Sequence, residues 1–142
     1  MISLKRVENE QELKTAHSIR MKVFVEEQKV PREAECDQFE STATHYLAKY
    51  EEVPCGAARW RETDKGIKLE RFAVLQPYRN KKVGAHVLQQ VLKDVLEAHP
   101  NKKIYLNAQL PAVAFYKQHG FETEGEMFTE CDIQHYTMVY KG

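Results

Sequence analysis

The chain lacks any apolar run of membrane-spanning length, and its opening stretch, MISLKRVENEQ, has no long hydrophobic core of the kind a secretory signal needs. It also lacks an excess of either charge: lysine plus arginine and aspartate plus glutamate both total 21, for a formal net charge of zero. Broad electrostatic attraction to nucleic acid or to a membrane surface is thereby disfavoured. Cysteine is scarce. Cys36, Cys55 and Cys131 are odd in number, far apart and without a CxxC pair, which suits a reducing compartment and packing roles better than a disulfide scaffold or a zinc ribbon. HExxH, GxGxxG and GxxxxGK[ST] are all missing, which removes the familiar zinc-protease, dinucleotide and P-loop readings. There is no internal repeat and no linker. These absences predict a soluble cytoplasmic protein of one domain, residues 1–142, with no metal and no nucleic-acid or membrane partner.

What is present is organised around residues 69–96. Leu69, Phe72 and Val74 have the character of a buried strand that Pro77 ends, and Val83, Val87, Leu88, Val91, Leu92, Val95 and Leu96 then recur at helical spacing. The crossing between them, Arg79-Asn80-Lys81-Lys82-Val83-Gly84-Ala85, is cationic and carries small residues at a helix start. First-turn amides without internal partners, together with about half a positive charge from the helix dipole, attract anions, and a diphosphate needs small residues for close approach. The competing reading is a helix cap with a solvated charge cluster.

In chain order, ISLKRV at 2–7 alternates as an opening strand, and Asn9 with Glu12 resembles a capping box before a helix whose apolar stripe is Leu13, Ala16, Ile19, Val23 and Phe24. The helix is expected to fray near Gln28. The acidic segment 31–40 follows, with room for one helical turn, its Glu33, Glu35, Asp37 and Glu40 reading as a solvated face. Three strands joined by short polar turns fill 43–75 and should be antiparallel. After the helix at 83–98, a strand at 103–108 should lie parallel to 67–75, because a helix separates the two. Pro111 opens a helix over 111–119 that Gly120 stops, and two strands finish the chain. The fold class is α/β in the α+β sense: a mixed, mostly antiparallel sheet flanked by helices, with parallel strands that splay at their carboxyl ends, where ligands bind.

At this point the sequence resembles the GNAT superfamily of acetyl-CoA-dependent N-acetyltransferases over nearly its whole length. Arg79-Asn80-Lys81-Lys82-Val83-Gly84 is similar to that family's [Q/R]-x-x-G-x-[G/A] signature, with Lys82 at the first glycine, and Ala114–Phe121 looks like its FYxxxGF motif. Arg20, the run Val23–Gln28, Val30-Pro31 and Asp37, together with Gly56–Arg61, Leu69-Glu70-Arg71 and Ile133-Gln134-His135, are similar to small bacterial ElaA-type members. Asp132-Ile133-Gln134-His135 stands where those relatives usually read GIPH.

The resemblance implies transfer of acetyl from acetyl-CoA to a primary amine of a small molecule or peptide, by direct attack. It implies that the cofactor arm lies along strand 67–75 with the amides of Phe72, Ala73 and Val74 facing the thioester. Asn107 is then either a contact to that arm or a polar residue satisfying a strand edge. Tyr116 matches the general acid for the departing thiolate; without the motif it would read as a core tyrosine beside Phe115. Glu70 is a candidate base on the thioester strand, its alternative being an ion pair with Arg59 or Arg71, and His45 and His135 are further candidate bases. Pattern alternation puts Glu70 and Phe72 on one face. Glu27, Gln28, Arg59, Arg71 and His135 are candidate acceptor contacts. Exposed strand edges leave room for a homodimer. A non-catalytic acyl-CoA-binding or regulatory protein of the same fold is the alternative function.

Overall fold

The computed structural model describes residues 1–35 and 37–142, so Cys36 lies outside the described residues. The chain opens with β1 (Ile2–Arg6) and α1 (Glu10–Arg20). Asn9 caps α1 by accepting from the Glu12 amide at 2.9 Å, while the Glu12 carboxylate accepts from the Glu8 amide at 2.8 Å. The helix does not fray at its end. It widens into π-helical turns over Met21–Glu27, closed by the Gln28 amide donating to the Val23 carbonyl at 3.0 Å. A single turn, α2 (Arg32–Glu35), leads to β2 (Thr44–Tyr50), β3 (Val53–Thr63) and β4 (Gly66–Val74). Then come α3 (Val83–Ala98), β5 (Ile104–Gln109), a 3-10 turn at Leu110–Ala112, α4 (Val113–Gln118), β6 (Phe121–Glu130) and β7 (Ile133–Tyr140). Among the described residues no helix is long and apolar enough to cross a membrane.

All seven strands form one sheet in the order β1-β2-β3-β4-β5-β7-β6. β4 and β5 are its parallel pair, as a crossover through α3 requires, and the other neighbours are antiparallel. One face packs under α3 and α4, where Val83, Val87, Leu88, Val91 and Val95 meet Ile67, Leu69, Ile104 and Leu106. The other packs under α1, where Ala16, Ile19 and Val23 meet Leu47, Ala57 and Ala73. Burying an aliphatic side chain of this size contributes about 1.5–3 kcal/mol, which is why these two stripes fix how the helices lie on the sheet.

Strict alternation fails in β4. Arg59 faces Glu70 and Ala57 faces Ala73, so two residues of β4, Arg71 and Phe72, oppose Ala58 alone, and Arg71 takes the left-handed conformation at φ +57°. This bulge inverts the parity. Phe72 and Val74 pack with Leu69 under α3 and α4, and Ala73 turns to the α1 side. Glu70 and Phe72 therefore lie on opposite faces, which corrects the alternation reading.

Gly66 sets the start of β4 against the start of β5. Its φ is +139°, and a Cβ there would stand 2.2 Å from the Lys103 carbonyl oxygen, the same oxygen that accepts from the Ile67 amide at 2.7 Å. Gly66→Ala is expected to destabilise the protein by about 2–4 kcal/mol through backbone strain and overpacking. Urea unfolding of the two proteins checks this, and a loss under about 0.5 kcal/mol would contradict the close approach.

Candidate active site

The parallel pairing of β4 with β5 lasts three residues, Ile67↔Ile104, Lys68↔Tyr105 and Leu69↔Leu106. Beyond that β5 stays with β7 as far as Gln109↔His135, and β4 stays with β3 as far as Val74↔Gly56. The edge of β4 after Leu69 is thus left facing a gap, and a cleft of about 430 Å³ occupies it. Its walls come from β3, β4, β5, α4, the turns around Gln28 and Ala34, and the β6–β7 hairpin.

Of the residues singled out from sequence, Gln28, Glu70, Arg71, Phe72, Asn107, Tyr116 and His135 line this cleft. Tyr116 is 9% exposed and set edge-on against Phe115 (5.1 Å), Phe121 (5.7 Å) and Phe72 (6.5 Å). Burial pushes its phenol above the ordinary value, so it stays protonated at any physiological pH. Asn107 accepts from the Thr137 hydroxyl at 2.9 Å, and its amide hydrogens remain available to the cleft. Gln28 exchanges hydrogen bonds with Gln109 at 3.2 and 2.7 Å, tying the end of the π-helical turns to the end of β5. His135 is buried, stacked on Phe128 at 5.5 Å, with Nδ1 2.7 Å from the Ile133 carbonyl. A carbonyl can only accept, so the hydrogen-bond pattern assigns the proton to Nδ1 and leaves a lone pair on Nε2. His45 is not on the cleft wall: it is buried with Nε2 2.7 Å from the Glu40 carbonyl. Cys55 is buried as expected, whereas Cys131 is exposed in the β6–β7 turn.

The phosphate-type junction lies outside this cleft, past the end of β4. The His86 amide is the first of α3 to reach a backbone carbonyl, that of Lys82 at 3.1 Å, and no side chain caps the helix. The amides of Val83, Gly84 and Ala85 are left as free donors, as the helix start predicts. Two details correct the sequence reading. Arg79 is not free for an anion: it grips Glu27 with two bonds of 2.7 and 2.8 Å and the Val74 carbonyl with a third of 2.9 Å. Glu27 is accordingly a surface partner of Arg79 and lies off the cleft wall. The conformational demand also falls elsewhere than on Gly84. Asn80 and Lys82 carry the left-handed backbone, at φ +68° and +67°, while a Cβ on Gly84 would meet only the Phe115 ring at 3.7 Å. Left-handed backbone favours glycine, which is the physical reason for a glycine at the Lys82 position of the motif. Lys81 and Lys82 are exposed there, with the Lys81 ammonium 5.4 Å from the centre of the Tyr50 ring.

The sequence model of the acetyltransferase (GNAT) domain matches residues 5–141. The chain belongs to the GNAT family. It is 40% identical over 132 residues to the uncharacterized N-acetyltransferase YjcF of Bacillus subtilis, covering 92% of this chain and 94% of that protein. It is also similar to the protein ElaA of Escherichia coli, whose crystal structure superposes with a TM-score of 0.90 at 25% identity, over 99% of this chain and all of the other. A GNAT-family acetyltransferase from Elizabethkingia anophelis, solved with acetyl-CoA bound, shares the fold at a TM-score of 0.70 and 16% identity, covering 97% of this chain and 94% of that one.

In this GNAT chain the floor beside the cleft is an ion network, and the acidic segment is part of it. Glu35 is 1% exposed and takes two bonds from Arg20, at 3.0 and 2.9 Å; Arg20, itself 1% exposed, also grips Glu40. Arg59, with 0% exposure, binds Asp37, Glu40 and Glu70, and Arg71 reaches Glu35, Asp37 and the Ala34 carbonyl. Only Glu33 of that segment is a solvated carboxylate. Arg59 is thereby removed from acceptor contact, and Arg71 acts first as the anchor of the α2 loop. Burial alone would raise the pKa of Asp37, but the Arg59 hydrogen bond and charge outweigh it and hold it at about 2. Glu40 and Glu70 are likewise lowered: burial is outweighed by Arg20 at Glu40, and by Arg59, Lys68 and Arg61 at Glu70. A carboxylate held this acidic is a poor proton acceptor at neutral pH.

These shifts set the acid limb of stability. Folded carboxylates more acidic than unfolded ones contribute stability above the ordinary range near 4, and lose it as pH falls towards 2. Burial lowers His45, so its contribution is present above about 6.5 and declines below that pH as the unfolded chain takes up the proton. Urea midpoints measured from pH 7 to pH 2 should show a shallow decline below 6.5 and a steep one between 4 and 2. A flat profile through the lower window would contradict the network.

Proposed function

We propose that this GNAT protein transfers an acetyl group from acetyl-CoA to a primary amine by direct attack. The observation that carries this reading is the unzipped edge of β4, which ends in a cleft lined by a phenol, an imidazole lone pair and a side-chain amide. The fit to the cofactor rests on two sets of unspent backbone groups. The open edge of β4 beyond Leu69 offers peptide groups to an extended pantetheine arm, as an added strand would use them. The free amides of Val83, Gly84 and Ala85, with Lys81 and Lys82 beside them, suit a diphosphate. Bound acetyl-CoA would supply the activated acetyl thioester.

The chain's own groups do the rest. The β4 amides from Phe72 to Val74 orient the arm and polarise the acyl carbonyl. Asn107 donates to the arm from the facing strand. His135 takes the proton that an ammonium must lose before its nitrogen can attack, through the lone pair that the Ile133 carbonyl frees on Nε2. As the carbon–nitrogen bond forms and the carbon–sulfur bond breaks, the Tyr116 hydroxyl donates to the departing sulfur, and the second proton shed by the acylated nitrogen restores the Tyr116 phenol through solvent. Glu70, held ionised by Arg59, Arg61 and Lys68, sets the local field and leaves the proton to His135.

Tyr116→Phe should lower turnover about 10- to 10⁴-fold while leaving the affinity for coenzyme A within about twofold. Thiol release from acetyl-CoA across an amine panel, paired with calorimetric binding of coenzyme A, makes the measurement. Unchanged turnover would remove Tyr116 from the reaction. Tight cofactor binding with no release on any amine would make the protein an acyl-CoA binder instead.

A further inference from the structure

The ion network beside the cleft does not balance. Arg20, Arg59, Arg61, Lys68 and Arg71 face Glu35, Asp37, Glu40 and Glu70, which leaves one positive charge in excess. Where it sits follows from strand register. Arg59 stands opposite Glu70, and two residues along the same face Arg61 stands opposite Lys68. Directly opposed like charges on neighbouring strands repel, and here three cations crowd a single carboxylate. Arg61 reaches Glu70 through Nε at 3.0 Å and Lys68 reaches it at 3.5 Å, while the third cation, Arg59, is shared with Asp37 and Glu40.

The donors of Arg61 are only partly used. Its guanidinium lies 3.8 Å from the centre of the Phe39 ring, which holds the plane in place, and among the described residues its hydrogen bond to a carboxylate runs from Nε to Glu70, with none from its two terminal nitrogens. Both Arg61 and Lys68 line the same cleft as Tyr116 and His135, and both are partly exposed, at 18% and 23%. Of the other arginines, Arg20 and Arg59 are fully buried and spent on the acidic segment and on Glu70, while Arg71, also on the cleft wall, is held by Glu35, Asp37 and the Ala34 carbonyl of the α2 loop. One carboxylate on the cleft wall stands apart from this group: Glu130, contributed by the hairpin beyond β5.

We propose that the acceptor is an amine that carries its own anionic group, a carboxylate or a phosphate, and that Arg61 and Lys68 bind that group in the acyl-transfer cleft. This rests on the acetyltransferase reading and narrows its substrate class. A planar guanidinium fork with two open nitrogens matches either oxyanion, and Lys68 adds a point charge beside it. A neutral or purely cationic amine leaves the excess charge uncompensated. Glu130 on the opposite wall favours the ammonium end, so such an acceptor enters with its two charges oriented.

The test uses matched pairs of acceptors with acetyl-CoA thiol release as the readout: β-alanine against propylamine for the carboxylate, and O-phosphoethanolamine against ethanolamine for the phosphate. In at least one pair the anionic member should have a kcat/KM about 10- to 10³-fold higher. The pair that shows the preference identifies the anion. Arg61→Gln with Lys68→Met should collapse that ratio towards one, chiefly through KM, and Arg61→Lys should restore part of it. Equal rates within both pairs in the unmodified protein would overturn the proposal and leave the acetyltransferase reading standing. If no amine releases thiol, that reading fails, and the anion site is decided by nuclear magnetic resonance titration with inorganic phosphate and β-alanine. Saturable shifts at Arg61 and Lys68 that the double variant lacks would support the site, and their absence would overturn it.

Discussion

Everything chemical in this protein depends on β5 leaving β4 after three paired residues. A parallel pair that stayed zipped would bury its peptide groups in a ladder and leave no place for a ligand. The two strands part after Leu69, just before the bulge at Arg71 and Phe72 that bends and twists β4, while β5 stays paired with β7 from Tyr105 to Gln109. The same bulge turns Phe72 under α4 against Tyr116 and leaves Glu70 on the far face with Arg59. One inserted residue therefore separates the aromatic side of the cleft, with Phe72 and Tyr116, from the charged side.

The charged side is a second constraint. Removing one partner of a buried ion pair leaves an uncompensated charge, and such losses typically cost about 3–5 kcal/mol, so Arg20, Arg59 and the α2 loop hold one another in place. The loop supplies carboxylates, β3 supplies the buried arginine, and α1 supplies the other. Within the protein, Arg20, Arg59 and Arg71 pair with Glu35, Asp37 and Glu40 of the acidic segment. Arg61 and Lys68, neither of which the sequence marked as an acceptor contact, are the cations of the network that lie partly exposed on the cleft wall away from the α2 loop.

Much of the fold was legible because it follows from local periodicity. The β3–β4 hairpin, the amphipathic stripe of α3, the parallel placement of β5 and the glycine stop at Gly120, which has φ +94°, all follow from pattern and turn chemistry. The legible part of the site was the part that sits in motifs: Tyr116, Asn107 and His135 do meet in one cleft. What was hidden is non-local or conformational. Nothing in Leu69-Glu70-Arg71-Phe72 announces a bulge, and Arg71 is an unusual residue to hold left-handed. The Arg79–Glu27 pair joins residues 52 apart, and the network joins α1, α2, β3 and β4 through side chains whose partners no spacing rule gives. Arg61 and Lys68 could have been found by pairing the predicted hairpin residue by residue, since that register alone sets two cations opposite each other.

The central claim is that the open edge of β4 and the first turn of α3 together receive one extended thioester cofactor. Amide hydrogen exchange with and without saturating coenzyme A tests it directly. Slowed exchange is expected on the unpaired edge of β4 between Glu70 and Val74 and at Val83, Gly84 and Ala85, with the outer strands β1 and β6 unchanged. Binding that left both stretches exchanging at their free rates, or that protected a different surface, would contradict it.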